Sequence, residues 1–318
     1  MPVNVEVVVP ATVANLGPGF DCLGMAVDTF KLRLCCRFDA ADGVRISVGG
    51  AASDGISDYP GENLVSRAME EAFAAAGARP RGYDLRIDNG IPLAGGLGSS
   101  AAAVIGGLLL ARAWLECRGR RLDDERLLAL AARMEGHADN AAAALCGGVT
   151  LAVQRDDGRA FAYRLPLLEY PAVVLAVPAR RQATRQARNV LPAQVPHGDA
   201  AFNAARSALL VAALTGGKYE LLYEAMVDRL HEPYRRCLYP WLDGLREAAV
   251  AAGAYGACLS GAGPAAAALT PADRVSAVAS AMQACLADAG LEAEVYRAAV
   301  SAGALVRVHP EVTLVQGA

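Results

Sequence analysis

From Pro92 to Ala103 the chain reads Pro92-Leu93-Ala94-Gly95-Gly96-Leu97-Gly98-Ser99-Ser100-Ala101-Ala102-Ala103, three glycines and two hydroxyls running straight into an apolar, alanine-rich segment. Residues of these types in this order make an anion cradle. Glycine lets backbone approach a ligand closely, and the first N–H groups of a helix have no internal acceptor and carry the positive end of its dipole. A polyphosphate is the natural occupant. The lysine-bearing phosphate loop is excluded, because the chain's only lysines, Lys31 and Lys218, lie far from the glycines. The order Gly95-Gly96-Leu97-Gly98 does not fit the dinucleotide fingerprint either. Taken alone, the better reading is a helix N-terminus capped by Ser99 after a tight turn, so the distant segments must decide.

Five such segments carry more polar or glycine residues than packing requires. Asn15 and Asp21 flank Gly17-Pro18-Gly19, and both side chains can bond an ammonium or hydroxyl, or simply their own turn. Met134 to Asn140 holds Glu135, His137, Asp139 and Asn140; it offers hard oxygens for Mg²⁺ and groups to orient a substrate, or else it is a helix end terminated by Gly136. Thr184 to Pro192, with Arg185 and Arg188, and His231 to Arg236, with Arg235, supply guanidinium forks for carboxylate or phosphate, or a solvated charged face. Cys258 to Pro264 is a second glycine turn.

The chain behind these segments has 318 residues, 54% hydrophobic and 20% charged, enough for a large core in two domains or one large one. A net charge of −3 without a basic run argues against a nucleic-acid surface. Eight cysteines without a C-x-x-C pair argue against a zinc site or a disulfide framework. Met1 to Glu6 has no basic leader, and apolar runs such as Ala101 to Ala111 fall short of the ~18 residues a membrane span needs, so a cytoplasmic location without membrane contact is expected.

Patterning predicts strands at Val3 to Val9, Phe30 to Phe38 and Val44 to Val48, the last two as an antiparallel pair about Asp42-Gly43. A helix over Asn63 to Ala76, a strand over Tyr83 to Ile87, and helices over Ser99 to Cys117 and Leu122 to Met134 follow, the last beginning near the capping residue Asp123. Val149 to Gln154 reads as a strand ending in the Asp156-Asp157-Gly158 turn. A boundary there divides the chain into 1–155 and 156–318. The second part reads as strand Ala172 to Val177, helices Ala200 to Leu214 and Lys218 to Leu230, strand Ala257 to Leu259, helix Arg274 to Ala289 and strand Glu292 to Arg297, with a loose tail from His309. The class is α+β.

The order of Thr12-Val13-Ala14-Asn15-Leu16-Gly17-Pro18-Gly19-Phe20-Asp21, Gly96-Leu97-Gly98-Ser99-Ser100, Glu135-Gly136-His137-Ala138-Asp139-Asn140, Thr184 to Pro192 and Ser260-Gly261-Ala262-Gly263-Pro264 resembles the homoserine kinase branch of the GHMP kinase superfamily over nearly the whole chain. The resemblance implies an N-terminal domain like ribosomal protein S5 domain 2, a ferredoxin-like C-terminal domain, and ATP-dependent phosphorylation of L-homoserine in the cleft between them, in a cytoplasmic enzyme for which a homodimer is the family-level expectation. It implies that Asn15, Asp21, His137 and Asp139 line the amino-acid pocket, with Arg188 and Arg235 for its carboxylate. Asn140 would place the hydroxyl, and Thr184 and Arg188 would share the reaction shell. Pro92, Leu93, Ala94, Gly95, Gly96, Leu97, Gly98, Ser99, Ser100, Ala101 and Ala102 would wrap the triphosphate, Asn63 would meet adenine, and Ser99 with Glu135 would hold Mg²⁺. Val13, Ala141-Ala142-Ala143, Ala262 and Ala265 depart from the family pattern, which leaves backbone alone for phosphate contact at Ala262.

Overall fold

Alternating valines begin the first strand, β1 (Val3–Ala14), whose exposure alternates to Val8 and then vanishes as the strand enters the interior. A computed structural model describes residues 2–40, 42–180 and 182–310, apart from the side chains of Thr184 and Pro310. β1 pairs antiparallel with the long β2 (Leu23–Phe38), with a register shift at Pro10/Ala11 where proline cannot donate to the ladder. β2 also pairs antiparallel with β4 (Gly82–Asn89) and with β5 (Val149–Gln154), and β5 with β6 (Ala160–Arg164).

β3 (Gly43–Gly49) departs from the predicted hairpin. It runs parallel to β4, because β4 takes the edge of β2 and the helix α1 (Leu64–Ala76) forms the crossover that a parallel pair requires. β11 (Leu305–Pro310), in the stretch expected to be loose, pairs antiparallel with β1, opposing His309 to Asn4; residues 311–318 lie outside the described residues. The seven-stranded sheet therefore contains β6 and β11 although both follow residue 155.

Helix α2 (Ser99–Glu116) lies in the core against β1 and α1. The predicted apolar run stopped short of membrane length, whereas the whole helix, 18 residues at mean hydropathy 1.2, reaches it. It is a core helix, 72% buried, with Gly107 against the Val65 carbonyl and Gly106 against Leu34. α3 (Asp124–Glu135) starts where the Asp123 side chain accepts from Arg126 N at 2.8 Å and stops at Gly136, φ 85°. A further helix, α4 (Asp139–Cys146), follows after only three residues, where sequence reading had only the tail of α3.

The remaining strands form a four-stranded antiparallel sheet in the order β10-β7-β9-β8: β7 (Ala172–Pro178), β8 (Gly256–Leu259), β9 (Ala266–Thr270) and β10 (Ala293–Ala298). Helices connect β7 to β8 and β9 to β10, so this is the ferredoxin-like βαββαβ arrangement. Between β7 and β8 lie α5 (Thr184–Asn189), α6 (His197–Thr215), the single turns α7 (Leu222–Ala225) and α8 (Glu232–Arg235), and α9 (Leu242–Ala251). α9 and α10 (Val275–Asp288) cover one sheet face around Leu242, Leu245, Val278 and Met282. The single helix predicted over Lys218 to Leu230 is broken, because Asp228 accepts the backbone N–H groups of Leu230, His231 and Glu232 and bends the chain about itself.

Candidate active site

The glycine loop sits at the junction of the two sheets, and its carbonyls face the scaffold. Ala94 O accepts from Gln182 N at 2.9 Å, Gly95 O from Ala265 N at 3.1 Å, Gly96 O from Ser260 Oγ at 2.7 Å and Leu97 O from Thr12 N at 3.0 Å. Positive φ at Ala94 (53°), Gly96 (79°) and Gly98 (72°) produces this turn. A Cβ on Gly98 would stand 1.9 Å from Thr12 Oγ1, so no other residue fits. Gly98, not Ser99, occupies the N-cap position of α2, without a side-chain cap. The loop amides and those of the first helical turn are thereby left as donors for an anion.

Below the loop opens a cleft of about 520 Å³, lined by Gly95, Gly96, Gly98, Ser99, Ser100 and Ala101 on one side and by Asp21, His137, Asp139, Asn140, Arg188 and Arg235 on the other. A second pocket of about 290 Å³ adjoins it through Ala94, Ser99 and Ser100 and is walled by Leu32, Ile56, Leu64, Val65, Ile87 and Leu93. The pair is an apolar pocket continuing into a larger polar cleft.

On the wall opposite the loop, Arg188 grips both oxygens of Asp21 at 2.6 and 3.1 Å. Arg235 is buried; its Nε donates to Ala187 O at 3.1 Å, and Nη1 meets Gly261 O and His231 Nδ1, each at 3.0 Å. His231 Nε2 donates to Gly17 O at 2.9 Å, which leaves Nδ1 as the acceptor for Arg235. Both guanidinium groups lie over the Phe20 ring, at 5.5 and 5.6 Å, and burial followed by the charge of Arg188 lowers the Arg235 pKa. His137 Nδ1 is 2.7 Å from Asp139 Oδ1. Burial opposes protonation of His137, but the hydrogen bond and charge of Asp139 outweigh it and the pKa stands above the ordinary value. Cys22 nearby is held neutral, its pKa pushed up to about 11 by burial and then by Asp139 and Asp21.

One family model, GHMP kinases N terminal domain, matches residues 63–148, and another, GHMP kinases C terminal, matches 199–288. The homoserine kinase of Microchaete diplosiphon is 42% identical over 292 residues, covering 92% of this chain and 93% of that one. The homoserine kinase of Desulfitobacterium hafniense is 42% identical over 305 residues, covering 95% and 99%. This chain belongs to the homoserine kinase family of GHMP kinases. The crystal structure of homoserine kinase from Cytophaga hutchinsonii matches with a TM-score of 0.85 at 31% identity, covering 96% of this chain and 97% of that one. The mevalonate kinase of L. major, at 18% identity and TM-score 0.63 over 94% and 95%, shares the fold.

Within this GHMP kinase the expected residues are mostly brought together, with specific differences. Leu97 and Ala102 are buried in the core and do not face the cleft, while Leu93 lines the apolar pocket. Asn63 borders that pocket, but its amide caps α1, accepting from Ser66 N at 3.1 Å and donating to Ser57 O at 2.7 Å. Asn15 lines the cleft, but its amide ties two turns together, donating to Gly261 O at 3.0 Å and accepting from Asp21 N in its own turn at 3.1 Å. Glu135 bonds the hydroxyl of Ser100, at 2.6 Å, where the metal pair had been expected to be Glu135 with Ser99; all three line the cleft. The donor atoms of Asp21, His137 and Asp139 lie within 4.8 Å of one another, a second candidate cation cluster. One of its three members, Asp21, already carries the Arg188 guanidinium. The backbone of Thr184 opens α5, and its side chain lies outside the described residues. Sequence reading assigned no role to Phe20 or His231; the only signal for His231 was its place in a short polar run.

Proposed function

We propose that this chain transfers the γ-phosphoryl group of ATP to the side-chain hydroxyl of L-homoserine, giving O-phospho-L-homoserine for threonine biosynthesis. The observation that carries the reading is the glycine loop: four successive carbonyls bound to scaffold, with the amides left for a triphosphate directly opposite an amino-acid-sized set of charges. Adenine takes the apolar pocket beside Asn63 and Leu93, and the phosphates follow the loop past Ser99 into the cleft. Asp21 receives the homoserine ammonium, with His137 and Asp139 beside it, and Arg188 and Arg235 receive its carboxylate.

Phosphoryl transfer asks mainly for alignment and charge neutralisation, which the loop amides, the α2 N-terminus and the arginines provide without a strong base. Asn140 and Thr184 orient the acceptor hydroxyl. Ser99, Ser100 and Glu135 are hard-oxygen groups at the phosphate end, and this donor set fits Mg²⁺. When bound there, the ion would neutralise charge on the phosphate oxygens. The eight unpaired thiols suit a reducing cytoplasm, and the family expectation of a homodimer is checked by light scattering.

A coupled assay for ADP across homoserine, threonine, shikimate and mevalonate tests the reading. Homoserine-dependent ADP release at a rate well above the other alcohols is the expected result. Preference for another alcohol, or ATP turnover indifferent to all four, would overturn it.

A further inference from the structure

Thr12 lies near the end of β1 beneath the glycine loop, is fully buried, and has so far entered only as a support of that loop. Its backbone N–H bonds Leu97 O at 3.0 Å and its hydroxyl donates to Asn140 Oδ1 at 2.8 Å. The same hydroxyl fills the space that a Cβ on Gly98 would need, so loop, strand and the first turn of α4 meet at one oxygen. The other end of the Asn140 amide is 3.4 Å from Asp139 Oδ1, which already accepts from Asn140 N and lies against His137 Nδ1, each at 2.7 Å. The reverse flip would set the amide oxygen of Asn140 against that carboxylate oxygen, two acceptors face to face. Thr12 and Asp139 thus fix the same rotamer from opposite ends, and one N–H of the Asn140 amide remains for the cleft it lines.

We propose that Thr12 is a positioning residue for phosphoryl transfer: its hydroxyl locks the Asn140 side chain so that the amide presents an N–H, never its oxygen, to the reacting oxygens. This deepens the kinase reading above and rests on it. Asn140 then acts by donating to the acceptor hydroxyl oxygen or a γ-phosphate oxygen, and takes no proton. A hydroxyl at position 12 is required for this, while the methyl of threonine only packs.

The test compares T12V, which keeps shape and removes the donor, with T12S, which keeps the donor, and with N140A and the double variant T12V/N140A. T12V is expected to lose roughly 10- to 100-fold in kcat, the scale of a misplaced catalytic contact, with KM for ATP and homoserine within about threefold of wild type. T12S recovers most of the kcat. In the N140A background, T12V costs no more than about twofold further, because residues acting as one unit are not additive. In ¹⁵N-labelled protein, the side-chain amide pair that N140A removes shifts in T12V and stays in place in T12S, a readout that needs no substrate. A T12V kcat within twofold of wild type, an undiminished T12V penalty in the N140A background, or an unmoved Asn140 amide resonance would each overturn the proposal. A wild-type protein that ignores homoserine overturns the kinase reading instead, and the amide resonance still decides the role of Thr12.

Discussion

The Arg188 guanidinium forms a two-point fork on the carboxylate of Asp21, 167 residues away in sequence, so the acceptor pocket carries a ready-made ion pair in which each member matches one charge of a zwitterion. On the proposed reading, an amino acid entering the cleft would exchange this internal pair for two external ones, its ammonium taking Asp21 and its carboxylate taking Arg188. The exchange keeps the pocket near neutral throughout, so no isolated charge has to be desolvated.

Removing either partner therefore acts on homoserine binding. Asp21→Ala and Arg188→Met are each expected to raise the homoserine KM by about 10- to 100-fold, the worth of a charge-assisted hydrogen bond, with the ATP KM within about threefold. Steady-state kinetics with each substrate varied in turn checks this. Unchanged homoserine KM in both variants would remove the pair from the acceptor site.

His137 is expected to titrate above its ordinary value of 6.5, since the Asp139 hydrogen bond and charge outweigh burial. For a raised histidine pKa the stabilisation is complete below about 6.5 and fades as the pH climbs through the folded-state value. Asp139→Asn removes the partner and should bring the His137 titration down. An NMR titration of the imidazole proton in both proteins measures the two values; a wild-type midpoint at or below 6.5 contradicts the geometry.

Glu135 and Ser100 should separate by metal dependence. Glu135→Gln is expected to raise the Mg²⁺ concentration for half-maximal rate at least tenfold, whereas Ser100→Ala, which removes a neutral hydroxyl of the donor set and its 2.6 Å bond to Glu135 but no charge, should raise it by less. Chelation with EDTA should abolish turnover in every variant. Identical Mg²⁺ titrations for wild type and Glu135→Gln would place the ion elsewhere.

Asn63→Ala should damage stability more than nucleotide affinity. The side chain caps α1 and ties it to Ser57 O, so its loss is expected to cost about 1–2 kcal/mol in denaturant unfolding. The ATP KM should change by less than about threefold. A large KM change at wild-type stability would make Asn63 an adenine ligand first and a cap second.

Gly98→Ala tests the loop. At φ 72° and with Thr12 Oγ1 1.9 Å from the new Cβ, the substitution is expected to cost about 2 kcal/mol or more and to abolish measurable ATP binding by calorimetry. Retention of wild-type nucleotide affinity would mean the loop has room to move.

The local parts of this site were legible in sequence. Gly95, Gly96 and Gly98 before an apolar run and Asp123 before α3 are signals whose physics acts within a few residues, and both lie where they were expected, whereas Asn63, expected at adenine, caps α1. The parts that failed depend on distant partners. β3 lies beside β4 because β4 had already taken the edge of β2, and nothing near Asp42-Gly43 encodes that. α4 was missed because Met134 to Asn140 was read either as a polar site or as the end of a helix at Gly136, and the packing of α4 against β1 and β2 that sets a new helix there is non-local. Which of two adjacent serines meets Glu135 depends on the rotation of α2 about its axis, a property of the whole core. His231 was hidden for a similar reason, since its tautomer is set by Gly17 O, 214 residues away, with Arg235 one turn further on taking the other nitrogen.

The strand β11 has a bearing on how this protein can be made. It covers the outer edge of β1, so a ribosome must deliver residues 305–310 before the sheet carrying the glycine loop is finished at that border. Until then Val3, Val5 and Val7 belong to a strand with bare amide and carbonyl groups, the kind of border that recruits other chains. Truncation anywhere before Leu305 leaves that border permanently open, and a fragment cut at residue 155 also forfeits β6. N-terminal half-molecules of this protein are therefore expected to aggregate, and a permuted chain that joins the two ends of this strand pair keeps the seam intact.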